Sequence, residues 1–238
     1  MDARDLEFRY QRTDVAESYD RTRFRGLCGR YSDWRLRRNL TAIVRTLPPR
    51  ALALDVPCGT GRIIASLAKA SLRVIAADVS GEMLTVARRK TSGTPFLRTD
   101  ALRLPFRSAS VDVAFSIRFL HLLDPDGRTQ VLSELARVAR SYVVVEYRSV
   151  TKPLRVARRA TLRWLGFRNV RNRTTVADLA DELRRCGLRA ERSYFTSRWF
   201  SASVLIVAHP TPRDERADAR GDVRQTTLSL ALACDNRA

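Results

Sequence analysis

The chain has 238 residues, 45% of them hydrophobic, which suffices for one domain with a full core. Its 44 Lys and Arg against 25 Asp and Glu give a formal net charge of +19, which invites an anionic partner. No apolar run reaches bilayer-spanning length, so no transmembrane segment is expected, and Met1-Asp2-Ala3-Arg4-Asp5 lacks a signal-peptide core, so the expected location is cytoplasmic.

Residues 1–14 are polar. From Val15 to Leu47 the spacing is helical, with Leu36, Leu40, Ile43, Val44 and Leu47 on one stripe, and Pro48-Pro49 ends it. Residues 1–50 thus read as an N-terminal helical cap. Short apolar runs follow at Ala51–Val56, Leu72–Asp78, Pro95–Thr99, Val111–Ser116 and Tyr142–Glu146, with helical patterns near Gly61–Lys69, Gly81–Arg89 and Asp126–Ala139. Strand–helix alternation of this kind predicts an α/β fold, a doubly wound, Rossmann-like, mostly parallel sheet with helices on both faces.

After Arg148 the rhythm breaks. Lys152 to Val170 reads as a basic amphipathic helix. Lys152, Arg155, Arg158, Arg159 and Arg163 share one side, opposite Val156, Ala157, Ala160, Trp164 and Phe167. Its basic face is either solvated surface or a lid that meets phosphates or an anionic membrane. Thr175 to Cys186 carries a helix-start signal, Thr175 followed by Asp178, and Gly187 is a plausible stop. Leu188–Trp199 and Ser203–Ala208 complete a seven-stranded sheet as an antiparallel pair, the final strand antiparallel. Residues 51–210 then form the main domain, and the polar stretch 211–238 reads as a disordered tail.

The informative stretch is Leu52-Ala53-Leu54-Asp55-Val56-Pro57-Cys58-Gly59-Thr60-Gly61, followed by Val74-Ile75-Ala76-Ala77-Asp78. It is a buried strand ending in an acid, a glycine turn, a helix, and a second strand ending in an acid, the βαβ plan of a nucleotide site. Glycines let a backbone approach a ligand, and an acid at the second strand's end can accept from ribose hydroxyls. Ile64 stands where a dinucleotide fingerprint has its third glycine, and no Gly-Lys-Ser/Thr is present. The pattern therefore favours a nucleoside with a cationic or zwitterionic tail over a pyrophosphate.

These residues resemble the class I S-adenosylmethionine-dependent methyltransferases, of the small-molecule type that includes the ubiquinone and menaquinone methyltransferases. The resemblance runs from about Val15 to His209. It rests on Ala16-Glu17-Ser18-Tyr19-Asp20, the Asp55–Gly61 loop, Asp78-Val79-Ser80 with Met83-Leu84, Thr99-Asp100-Ala101 with Leu104-Pro105-Phe106, and Val111-Asp112-Val113-Ala114-Phe115-Ser116 leading into Leu120-His121-Leu122-Leu123. Pro57 departs from it, standing where the family more often has glycine, and costs one backbone donor.

The resemblance implies S-adenosyl-L-methionine as cofactor. Asp55, Val56, Cys58, Gly59 and Gly61 would line its methionine end. Asp78 would hold the ribose, Val79 and Met83 the adenine faces, Asp100 the adenine amino group and the Ala101 N–H a ring nitrogen. Ser116 and Arg118 would border the sulfonium, and Tyr19 would close over the site or simply pack. His121, just past the fourth strand, is the candidate base for the acceptor's proton, or else a packing histidine.

Cys28, Cys58, Cys186 and Cys234 show no metal-ligand spacing, so they read as reduced thiols and no metal is expected. The acceptor reads as a small molecule or lipid-like compound, with an anionic one favoured by the charge and peripheral membrane contact an option. Almost all the basic residues are arginine, the bias of a codon preference, so charge alone decides little. The alternatives are an RNA methyltransferase using the basic surface and a catalytically silent cofactor-binding module.

Overall fold

The computed structural model describes residues 26–148, 176–195 and 203–211. Tyr19, the expected helical start before residue 26, the basic helix Lys152–Val170, the Thr175 cap and the tail from residue 212 lie outside the described residues.

Helix α1 spans Leu27–Val44; β1 (Leu52–Asp55), α2 (Ile64–Lys69), β2 (Arg73–Asp78), α3 (Gly81–Lys90) and β3 (Phe96–Arg98) follow. Then come β4 (Val111–Ser116), a 3-10 turn (Leu120–Leu122), α4 (Pro125–Val138), β5 (Ala139–Arg148), α5 (Val176–Arg185), β6 (Leu188–Phe195) and β7 (Ser203–Pro210). The seven strands form one sheet in the order β3-β2-β1-β4-β5-β7-β6. The pairings β1–β2, β1–β4, β2–β3 and β4–β5 are parallel. The final strand, β7, runs antiparallel to both β5 and β6. β6, at the edge, therefore points the same way as β1–β5.

Side chains alternate across each strand, so the sheet has two dry faces. Leu54, Ala114, Val143, Val145 and Ile206 point into one core with Leu132 and Leu135 of α4 and Leu179 and Leu183 of α5. Ala53, Val113, Phe115, Val144, Leu205 and Val207 point into the other, with Leu36, Leu40, Ile43 and Val44 of α1 and Ile64 and Leu67 of α2. The expected stripe on α1 is thus its buried face, and α1 is part of the second core.

Local chemistry sets the element ends. Asp124 accepts from the Gly127 amide at 2.8 Å and Pro125 fills the first turn, which starts α4. Gly187, at φ 73°, ends α5 as expected. Several boundaries differ from the sequence expectation. The first helix of the βαβ unit begins at Ile64, because Gly61 sits at φ 75°, outside the helical region. β3 is shorter than Pro95–Thr99, and β5 runs beyond Tyr142–Glu146 at both ends, paired with β4 at Ala139 and with β7 as far as Arg148.

Candidate active site

The acids and turns singled out in the sequence converge at the carboxyl ends of β1, β2 and β4, where open α/β sheets bind ligands. Parallel register places Asp55 beside Ala76 and Phe115, and Asp78 beside Arg98. The glycine turn is tied down by its backbone. Val56 N donates to Phe115 O at 2.9 Å, Cys58 N to Ala77 O at 2.8 Å and Gly61 N to Cys58 O at 3.0 Å.

The two glycines do different work. Gly59 is at φ 51°, and a Cβ built on it would meet no atom within 4 Å. Its backbone therefore faces open space, the approach a ligand needs. Gly61 is closed in: a Cβ there would lie 3.1 Å from Ala87 Cβ and 3.2 Å from Ile64 Cδ1. It lets the turn pack on α3.

Asp78 is a fixed acceptor. Its Oδ2 accepts from Gly59 N at 2.7 Å and its Oδ1 from Ser80 N at 3.0 Å. Each carboxylate oxygen retains a second lone pair. Asp55 is 1% exposed, and its Oδ2 has no hydrogen-bond partner. Burial pushes the Asp55 carboxyl well above its ordinary range, and the neighbouring Asp78 charge adds to the shift. Burial also raises Asp78, against the pull of the Ser80, Gly59 and Val79 amides. The pair is poised for a ligand that brings hydroxyl donors and positive charge.

Of the other expected site residues, Val56, Cys58, Met83 and Ala101 are buried within the protein. Val79 is half-buried, and its carbonyl accepts from Arg98 Nε at 3.0 Å. Ser80 caps α3 by accepting from Met83 N at 3.1 Å. Asp100 is exposed and its Oδ1 accepts from Leu102 N at 2.9 Å, which shapes the loop after β3. Ser116 is fully buried at the end of β4 with no hydrogen bond to Oγ. His121 is buried in the 3-10 turn just beyond it. Burial pushes the Cys58 thiol far up, with Asp55 and Asp78 adding to the shift, so it stays neutral and un-nucleophilic.

Three further residues form an ion-pair cluster beside the glycine turn. Asp33 on α1 pairs with Arg62 in the turn at 2.5 Å, with Arg37 at 3.0 Å and with Arg118 at 3.5 Å. Arg118 also lies 3.8 Å from Glu146, two residues before β5 ends at Arg148. Burial alone would raise Asp33, but Arg37 and Arg62 together hold its carboxyl below the usual value. Arg118 sits at φ 61°, a strained conformation for a side-chain-bearing residue, held between two carboxylates. The sequence reading assigns Asp33, Arg62 and Glu146 no role. Glu146 carried the signal that marks Asp55 and Asp78, an acid closing an apolar run, here Val143-Val144-Val145.

Among the described residues no group of three or more His, Cys, Asp or Glu side chains is placed to hold a metal, and no helix is long and apolar enough to cross a membrane.

Known proteins resemble this chain in sequence and in fold. Residues 53–141 match the family model described as a methyltransferase domain. The chain is 34% identical over 147 residues to a demethylmenaquinone methyltransferase of Clavibacter sepedonicus, covering 59% of this chain and 58% of that protein. It is 30% identical over 112 residues to a tRNA (carboxymethyluridine(34)-5-O)-methyltransferase of Arabidopsis thaliana, covering 47% of this chain and 26% of that one. It therefore spans less than two thirds of the length of either relative. Among solved structures, magnesium protoporphyrin IX methyltransferase from Synechocystis, with SAH bound, superposes with a TM-score of 0.71 at 19% identity, over 88% of this chain and 100% of that one.

Proposed function

We propose that this chain, whose residues 53–141 match a methyltransferase domain, transfers a methyl group from S-adenosylmethionine to a small, lipid-like acceptor. One observation carries the reading: at adjacent strand ends, a tethered Asp78 and an orphaned Asp55 flank an open Gly59 backbone. Hydroxyls answer the first acid, a cation answers the second, and a ligand backbone or carboxylate can approach the turn. S-adenosylmethionine has all three features.

When bound, that cofactor supplies an electrophilic methyl group on a sulfonium sulfur. The protein's share is binding and alignment. Asp78 accepts the ribose hydroxyls with its free lone pairs. Asp55, ionised by the arriving positive charge, offsets it in a water-poor setting. Val79 and Ala101 border the base. Ser116, at the end of β4, and Arg118, two residues on, would border the sulfonium. His121, next along the chain, takes the acceptor's proton if the acceptor must lose one. Arg62 and Arg118 are charge-balanced beside the site by Asp33 and Glu146.

The named activity of the demethylmenaquinone relative supports a quinone-like acceptor. The net charge of +19 and the tRNA-modifying relative favour RNA as the second reading. The two separate in one experiment. The purified chain is incubated with methyl-labelled S-adenosylmethionine and, in parallel, with lipid extract or total RNA, and the label is located by mass spectrometry. Label in the lipid fraction supports the proposal, label in RNA establishes the second reading, and label in neither rejects both.

A further inference from the structure

Among the described residues, the large hydrophobic side chains left exposed are Tyr31 and Trp34, at 45% and 53%. They sit one turn apart on α1, with ring centroids 6.0 Å apart. Taken at 100° per residue, Tyr31, Trp34, Arg38, Thr41 and Arg45 fall on one stripe of the helix. All five are exposed. The stripe lies opposite the buried one of Leu36, Leu40, Ile43 and Val44. It contains no acid. The Arg38 guanidinium stands 5.7 Å over the Trp34 ring, so charge and aromatic surface are presented together.

An exposed Trp is costly in water, and an adjacent Tyr doubles the apolar patch. Trp and Tyr rings favour the headgroup level of a bilayer, where one edge is apolar and the other wet. Arginines on the same stripe favour anionic headgroups. We infer that the Tyr31–Trp34–Arg38–Arg45 stripe of α1 is a docking surface for an anionic lipid bilayer. The occupant is a membrane surface because the patch is narrow, aromatic at one end and basic along the rest. That is the profile of an interfacial helix face.

Its place in the fold gives the contact a purpose. Asp33, between Tyr31 and Trp34 in sequence, turns the other way and holds Arg62 and Arg118 beside the glycine turn. A bilayer against the outer stripe of α1 would therefore lie near that turn. This use of the surface rests on the lipid-like acceptor proposed above, whereas the docking itself does not.

The test uses the full chain and vesicles of phosphatidylcholine with equal parts phosphatidylglycerol, beside vesicles of phosphatidylcholine alone. The parent should sediment with the anionic vesicles and much less with the neutral ones. Tyr31→Ser/Trp34→Ser should weaken that partition by about tenfold, the loss expected for withdrawing partly buried aromatic area. Arg38→Gln/Arg45→Gln should weaken it by about 30-fold, at about fivefold per arginine. S-adenosylhomocysteine affinity, measured on the same samples, should be unchanged in both, since none of the four residues lines the site. Unchanged partition in both double variants overturns the inference, as does failure of the parent to sediment. Loss of structured-RNA binding instead of vesicle binding overturns it in favour of RNA. The vesicle assay contains no methyl acceptor, so its failure leaves the proposed transfer reaction standing, and the reverse is equally true.

Discussion

The Oδ2 of Asp78 accepts a 2.7 Å hydrogen bond from the amide of Gly59, across 19 residues of sequence, while its Oδ1 accepts from Ser80. One carboxylate thus fixes the glycine turn, starts the segment that leads into α3 and still has lone pairs for a ligand. Structural and binding roles meet on the same two oxygens.

Asp78→Ala should therefore disturb both roles. Cofactor affinity, read by titration calorimetry with S-adenosylhomocysteine, should fall by about 1.5–3 kcal/mol, the scale of a charge-assisted hydrogen bond. The Gly59 and Ser80 amides lose their acceptor in the same variant. Intact affinity in the variant would remove Asp78 from the ribose role.

Asp55 pairs a cost to the free fold with a role in binding. Its folded carboxyl is raised well above 3.8 by burial and by Asp78. A raised group contributes stability below its unfolded value, near 3.8, and that contribution is lost as pH climbs through the folded value. At neutral pH Asp55 is thus a cost to the free fold. Asp55→Asn should raise the urea midpoint of the free protein at neutral pH and flatten its change with pH. The same variant should weaken cofactor binding, since the cation loses its counter-charge. In the parent, affinity should rise with pH through the raised value, because the ligand's positive charge favours ionised Asp55. Affinity that falls over that range would contradict the counter-ion role.

The ends of β1 and β2 were legible because an acid directly behind a buried apolar run marks the point where a strand leaves the core for a polar site, and Gly59 follows closely. The antiparallel β6–β7 pair and the Gly187 stop were also visible locally. What was not visible depends on distance along the chain. Asp33 meets Arg62 across 29 residues and meets Arg118 only because α1 packs over the sheet ends. No periodicity marks such a meeting in an arginine-rich chain, where any carboxylate has many possible partners. Gly61 is a different case. Its spacing reads as ligand contact, and Ala87 of α3, far along the chain, adds a packing reason for a glycine there.

His121 separates chemistry from binding. It is buried just past β4, beyond the Ser116 and Arg118 positions. His121→Ala should cut turnover by about a hundredfold if it takes the acceptor's proton, with cofactor affinity unchanged. Equal turnover of variant and parent at neutral pH would return His121 to packing.

Remote from the site, Arg128 of α4 donates through Nε to Glu182 Oε1 of α5 at 2.8 Å and through Nη1 to the Leu123 carbonyl at 3.4 Å. The Tyr147 hydroxyl of β5 donates to the other Glu182 oxygen at 3.3 Å. All three side chains are buried. The network pins α5 to α4 and to the strand that carries Glu146. Removing one charge leaves the other buried and unpaired, so Arg128→Leu should cost about 3–5 kcal/mol in urea unfolding. Arg128→Leu/Glu182→Gln should recover most of that loss, because the glutamine is neutral and its carbonyl can still accept from Tyr147. Burial, with Glu182 adding, holds the Tyr147 phenol well above 10.0, so the fold keeps it protonated. That contribution is present below pH 10.0 and is lost only as pH rises through the folded value. A double variant no more stable than Arg128→Leu would show that the loss comes from the missing arginine stem and its packing, not from the stranded carboxylate.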